Sequence, residues 1–348
     1  MNSPIKTCSD RAFPHRLKEA GFSLIEMMIA ITIGLVILAA LVGVLATSSG
    51  NSPTNDRTSE LMTNGRFALN SMKQELRQAG YRGYTSVDPM PPVALGAISG
   101  ECMESVVTAG TFVSNIRQGV WGANDSNPFP ANCIPTTNFA SGNDILVVRR
   151  LEEIPPPKTL VSNTLYFQST YAAGQMFRGT TAPNLSNPSA PTGTPDTSTP
   201  LGTFAVKTYV YYISPFTVSV TESPPIPALF RVALNSDGTN NPTMAAELVA
   251  SGIEHMQVQY GVLLNPGTAT ETTQYFDTLI GTSLDTTATA WDNVNSVRIW
   301  LLARNSTAEP GYSNTTSYSM GNKTGGNAYT VSDGFRRQLF TTVVQLRN

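Results

Sequence analysis

The chain has 348 residues, 41% of them apolar and only 13% charged, about half the charged share of a typical soluble domain. A formal net charge of −2 leaves no global basic field for a polyanion. Two histidines and three cysteines are too few for a zinc centre built from several such ligands.

The first 21 residues carry a net charge of +2, from Lys6, Arg11, Arg16 and Lys18 against Asp10 and Glu19. Met27 to Ala46 follows as 20 almost wholly apolar residues, and no charge occurs from Met27 to Asn55. Twenty residues at about 1.5 Å rise span about 30 Å, the thickness of a bilayer core. The segment reads as a transmembrane helix, and the positive-inside rule puts its N-terminus in the cytoplasm. A cleaved secretory signal would need a shorter apolar region ending in an A-x-A-like site, and the nearest approximation is Val44-Leu45-Ala46. A plain signal anchor fits the length but leaves Glu26 unexplained, because a carboxylate at the edge of an apolar span is costly and usually functional.

Thr47 to Asn55 is polar and contains Pro53, which predicts a loosening or kink. Leu61, Gly65, Ala68, Leu69, Met72, Leu76 and Ala79 then recur at spacings of three and four, an amphipathic helix that Gly80 should stop. The rest reads as strands, predicted over Ile145–Arg150, Phe204–Ile213, Ala228–Leu234, Ile253–Leu264, Val294–Ala303 and Leu339–Leu346. These suit an antiparallel sheet packed on the helix, an α+β fold. Between them lie long polar segments, Gly179 to Gly202, Ser223 to Pro227 and Asn305 to Asn327, which read as surface loops.

Gly21-Phe22-Ser23-Leu24-Ile25-Glu26 (GFSLIE) resembles the class III signal of type IV pilins and pseudopilins. QELRQAGYRG from Gln74, LVASGIEHMQVQYGV from Leu248, VNSVRIWLLAR from Val294 and the terminal FRRQLFTTVVQLRN resemble the PilW family of minor pilins. They resemble the J-type pseudopilins of type II secretion more weakly. The resemblance implies a pilin-like fold with four parts: a leader at 1–21, a transmembrane and assembly helix at 22–50, its amphipathic continuation at 51–83, and an extracytoplasmic β-rich domain at 84–348. It implies that a prepilin peptidase cuts after Gly21 and methylates Phe22, and that Glu26 pairs with the amino terminus of a neighbouring subunit. Implied partners are other minor pilins, the major pilin and a pilus-tip adhesin. The implied location is the inner membrane as a single-pass protein with a periplasmic globular part, then the pilus tip.

Cleavage would remove Cys8 and leave Cys102 and Cys133, an even pair that reads as a disulfide in an oxidising compartment. His255, on an alternating strand with Gln257 and Gln259 on its own side, reads as a solvated surface histidine rather than a base. Asp277, Asp285 and Asp292 lack the spacing of a calcium loop and read as turn residues. Arg336 and Arg337 flank the closing strand, where they could pair with carboxylates. No catalytic residue, metal site or cofactor is expected. A type II secretion pseudopilin and a DNA-uptake pilin are the alternatives, although a net charge of −4 after the leader predicts no nucleic-acid partner.

Overall fold

The computed structural model describes residues 21–103, 110–131, 133–154, 159–185, 201–265, 267–280, 282 and 290–346. Leader residues 1–20, with Cys8, the middle of the 179–202 segment, and Asp285 lie outside the described residues. Helix α1 spans Leu24–Leu76, and the chain divides within it into two compact units, Met1–Asn55 and Asp56–Asn348. Helix α1 continues through Pro53, where the sequence predicts a loosening or kink.

In the first unit, Leu24–Leu45 is long and apolar enough to cross a membrane, and none of it is buried. Its polar Thr32 donates back to the carbonyls of Ile29 (2.9 Å) and Met28 (3.0 Å), the local satisfaction that an apolar surrounding demands.

In the second unit, the helical stripe predicted from spacing is the packed one: Leu61, Ala68, Met72, Leu76 and Ala79 are buried. Strands follow as β1 (Val120–Ala123), β2 (Ile145–Glu153), β3 (Leu165–Ser169), β4 (Gly174–Arg178), β5 (Gly202–Ser214), β6 (Ala228–Asn235), β7 (Thr243–Ser251), β8 (Ile253–Leu264), β9 (Thr272–Phe276), β10 (Val294–Arg304), β11 (Ser317–Tyr318), β12 (Tyr329–Thr330) and β13 (Arg337–Gln345). The six predicted strands are all present, within three residues at each end. Strands β1, β3, β4, β7, β9, β11 and β12 have no counterpart among the predicted ones. They are short or carry polar residues; β11 and β12 pair with each other, and the rest are held on strands of the two larger sheets.

A seven-stranded antiparallel sheet has the order β1-β2-β5-β3-β4, with β6 on β5 and β7 on β6. Strand β5 is long enough to serve two partners along the edge opposite β2: Gly202 to Ala205 pairs with β3, and Tyr209 to Ser214 pairs with β6. A four-stranded sheet has the order β13-β10-β8-β9. On β8, strand β9 covers Tyr260 to Leu264, while nearer the start two side chains stand in for a strand. Asn143 Oδ1 accepts from the Met256 N–H at 2.7 Å, and Asp144 Oδ2 from the Val258 N–H at 2.7 Å. The residues leading into β2 of one sheet thus join β8 of the other, and this places a carboxyl group in the interior.

The sequence expectation for His255 is overturned. His255 does share a side with Gln257, but both are buried, because the segment between β10 and β13 folds back over that face. Gly321 lies against Gln257, the Tyr329 ring packs edge-on to His255 at 4.7 Å, and Asn322 and Lys323 reach Asp125. The predicted surface loop over Asn305 to Asn327 is therefore in part a cover, with Asn305, Asn314 and Met320 buried.

Candidate assembly site

At the start of α1, Phe22 is 85% exposed. Ser23 caps the helix: its carbonyl accepts from the Met27 N–H at 3.1 Å, and its own N–H donates to Glu26 Oε2 at 2.9 Å. A serine at the cap followed three residues later by a glutamate that reaches back is half of a capping box. The S-x-x-E pattern at Ser23 and Glu26 is visible in the sequence, and reading Glu26 only as a partner for another chain misses it. One carboxylate oxygen orders the chain's own helix start, and the carboxylate has acceptor capacity beyond that one bond.

The second unit fastens its stretch of helix to both sheets. Gly65 meets the ring of Phe340 on β13 so closely that a Cβ at position 65 would overlap three ring atoms. Asn64 Nδ2 donates to Ser251 Oγ at 3.3 Å. Near the helix end, Arg150 Nε lies 2.5 Å from Glu75 Oε2, both side chains being largely buried. Burial opposes the Arg150 charge, and the hydrogen bond and attraction from Glu75 outweigh it, so its pKa is raised. The chain then leaves the helix along β2, with the Gly80 N–H on the Arg149 carbonyl (3.0 Å) and the Leu151 N–H on the Tyr81 carbonyl (3.1 Å).

Cys102 and Cys133 form a disulfide, with Cα atoms 5.0 Å apart and a sequence separation of 31. Beside it, the buried Glu101 accepts N–H bonds from Gly110, Phe112 and Val113 at 2.7, 3.1 and 3.3 Å. Trp121 packs against Phe129 and Trp291.

The two terminal arginines meet acids. Arg336 pairs with Glu309. Arg337 is bidentate to Glu254, with Nε–Oε2 2.5 Å and Nη2–Oε1 3.0 Å, and to Asp333 at 2.6 and 2.7 Å. The Arg337 side chain is only 1% exposed. Burial disfavours its charge, and the two carboxylates more than compensate, so its pKa lies well above the ordinary range.

Burial pushes the His255 imidazole down to about 4, aided by Lys323 and opposed by Glu254 and Asp125. Burial pushes Asp144 up to about 8 against the two N–H bonds it accepts from Asp125 and Val258. Asp144 ties the entry to β2 onto β8, and His255 packs against the Tyr329 ring. Asp292 pairs with Arg117, and Asp277 accepts from Gln259 at 2.9 Å. Among the described residues no three potential metal ligands cluster.

Residues 210–348 match the family model described as type IV pilus-assembly protein W (PilW), and residues 16–42 match the prokaryotic N-terminal methylation motif. No curated protein matches the chain. Among solved structures, a type IV-like pilin from Thermus thermophilus shares 14% identity over 82% of this chain and 95% of that chain, with a TM-score of 0.32.

Proposed function

The chain is a PilW-family type IV pilin, and from that premise we propose that it acts as a minor pilin in the initiation of pilus assembly. In this reading a prepilin peptidase cuts after Gly21 and methylates Phe22, which divides the chain into leader 1–21, assembly helix 22–50, amphipathic continuation 51–83 and extracytoplasmic domain 84–348. The subunit waits in the inner membrane with its N-terminus cytoplasmic. It then joins other minor pilins and the major pilin in a priming complex that ends at the filament tip, where an adhesin can attach. The role is structural rather than enzymatic.

One observation carries the reading: the methylation motif coincides with a helix start at which Glu26 stands at the head of an exposed apolar span. Cleavage before Phe22 creates an α-amine, with a pKa of about 7.7–8. In a water-poor filament core that amine and the Glu26 carboxylate of a neighbour are each costly alone, so pairing them specifies one axial register. The bond from Ser23 keeps the carboxylate turned toward the helix start, where a neighbour's terminus would arrive.

N-terminal mass analysis of the protein from membranes and from sheared pili tests the proposal. N-methylated Phe22 is expected in both fractions. Gly21→Glu is expected to block processing, and Glu26→Ala to allow processing but abolish incorporation. An intact Met1 in the wild-type protein, or wild-type piliation by both variants in a deletion strain, overturns it.

A further inference from the structure

The four-stranded sheet ends on β13, which among the described residues pairs on one side only. Nine consecutive residues from Arg337 to Gln345 are in register with β10 without a shift, whereas the β8–β10 ladder is interrupted twice. Natural edge strands are usually blunted by bulges, prolines or short length, and β13 has none of these. Its pairing phase follows from two bonds that flank the ladder, Asn305 N–H to the Arg336 carbonyl (3.1 Å) and Leu346 N–H to the Asn295 carbonyl (2.8 Å). Antiparallel pairs alternate between bonded and non-bonded. The even-numbered residues from 336 to 346 therefore bond to β10, and Leu339, Thr341, Val343 and Gln345 direct their N–H and C=O groups to the open side. Thr341, Val343 and Gln345 are also exposed.

Beside that edge runs the helix. Gly65 faces Phe340, and Lys73 and Arg77 share a groove with Val343, Val344, Gln345 and Leu346. Helix and strand therefore advance in the same direction. Among the described residues neither Lys73 nor Arg77 has an ion-pair partner. They lie one helical turn apart, about 6 Å along the axis, close to the roughly 6.6 Å between alternate side chains of a strand.

We propose that β13 is a docking edge for an extended segment of a different subunit, added antiparallel or parallel as a fifth strand, with an acidic-x-acidic pair facing Lys73 and Arg77 and apolar residues on its other face over Val343. A second copy of this chain does not fit, because none of its 24 acidic residues is two positions from another. The inference rests on the assembly role above and names the chemistry of one partner contact.

The test uses the full chain in detergent and a synthetic nine-residue peptide with alternating glutamate and valine at its centre, followed by fluorescence anisotropy. Saturable binding is expected, at least tenfold weaker when lysine replaces the glutamates. The double variant Lys73→Glu/Arg77→Glu should reverse that preference. Val343→Pro removes an outward N–H while Thr342 and Val344 keep their bonds to β10, and should abolish binding of either peptide. Absence of saturable binding, a preference unmoved by the charge swap, or full binding by a folded Val343→Pro chain overturns the proposal. Should Val343→Pro fail to fold, the charge swap alone decides. A chain dimer that Val343→Pro dissociates assigns the edge to a second copy and likewise overturns it. Methylation at Phe22 is measured on the same samples, so failure of the edge is distinguishable from failure of the pilin reading.

Discussion

Gly65 offers a perturbation in which two physical effects predict opposite signs. On helix propensity alone, Gly65→Ala within α1 stabilises by about 1 kcal/mol, because alanine loses less backbone freedom. The structure predicts the reverse. The new methyl would overlap three atoms of the Phe340 ring, and Phe340 is packed against the core, so either the ring leaves its site or helix and strand separate. Overpacking of this kind costs about 1–3 kcal/mol, and the propensity gain offsets only part of it, leaving a net loss of up to about 2 kcal/mol. The assay is urea unfolding of the full chain in detergent, followed by near-ultraviolet circular dichroism. A double-mutant cycle with Phe340→Leu isolates the contact: in the Phe340→Leu background, Gly65→Ala should become neutral or stabilising, with a coupling of at least about 1 kcal/mol. Stabilisation by Gly65→Ala in the wild-type background, or additivity in the cycle, would refute the close docking of helix on β13.

Arg337→Ala removes the cation from Asp333 and leaves Glu254 with only the longer Arg304 contact at 3.5 Å, and is expected to cost about 3 kcal/mol, the lower end for broken buried pairs, while Arg336→Ala, at a more exposed site, should cost under about 1 kcal/mol. Thermal melts of the two variants side by side check this. Reducing the disulfide opens a loop with a sequence separation of 31 and should lower stability by about 3.5–4 kcal/mol on the chain-entropy estimate, measured as the shift in urea midpoint with and without reductant. For His255, burial lowers the folded-state pKa from the ordinary 6.5 to about 4. The unfolded chain then binds more protons in that interval, and stability is full above about pH 6.5 and is lost as pH falls toward 4. Asp144, raised to about 8, slopes the other way over the same interval. The readout is therefore the difference between wild type and His255→Gln, expected to change by about 3 kcal/mol between pH 7 and 4 and to stay flat above pH 7.

What can be read from the sequence is whatever a local pattern encodes. The apolar run from Met27 to Ala46, the GFSLIE signal, the spacing of Leu61, Ala68, Met72 and Leu76, and the strands rich in β-branched residues each state their environment within a window of 20 residues or fewer. Even the capping role of Ser23 and Glu26 is present as S-x-x-E. Contacts across long separations are not legible. Alternation along Ile253 to Leu264 correctly divides two faces but cannot say that residues 305–330 return to cover the second, and so the pattern alone leaves His255 and Gln257 to solvent. Only the tertiary structure shows that Asn143 and Asp144 stand in for a strand on β8. The same is true of Glu75 finding Arg150 and of Gly65 making room for Phe340. A sequence window reports the preference of each residue; burial depends on which distant segment arrives, and that choice belongs to the packing of the whole domain.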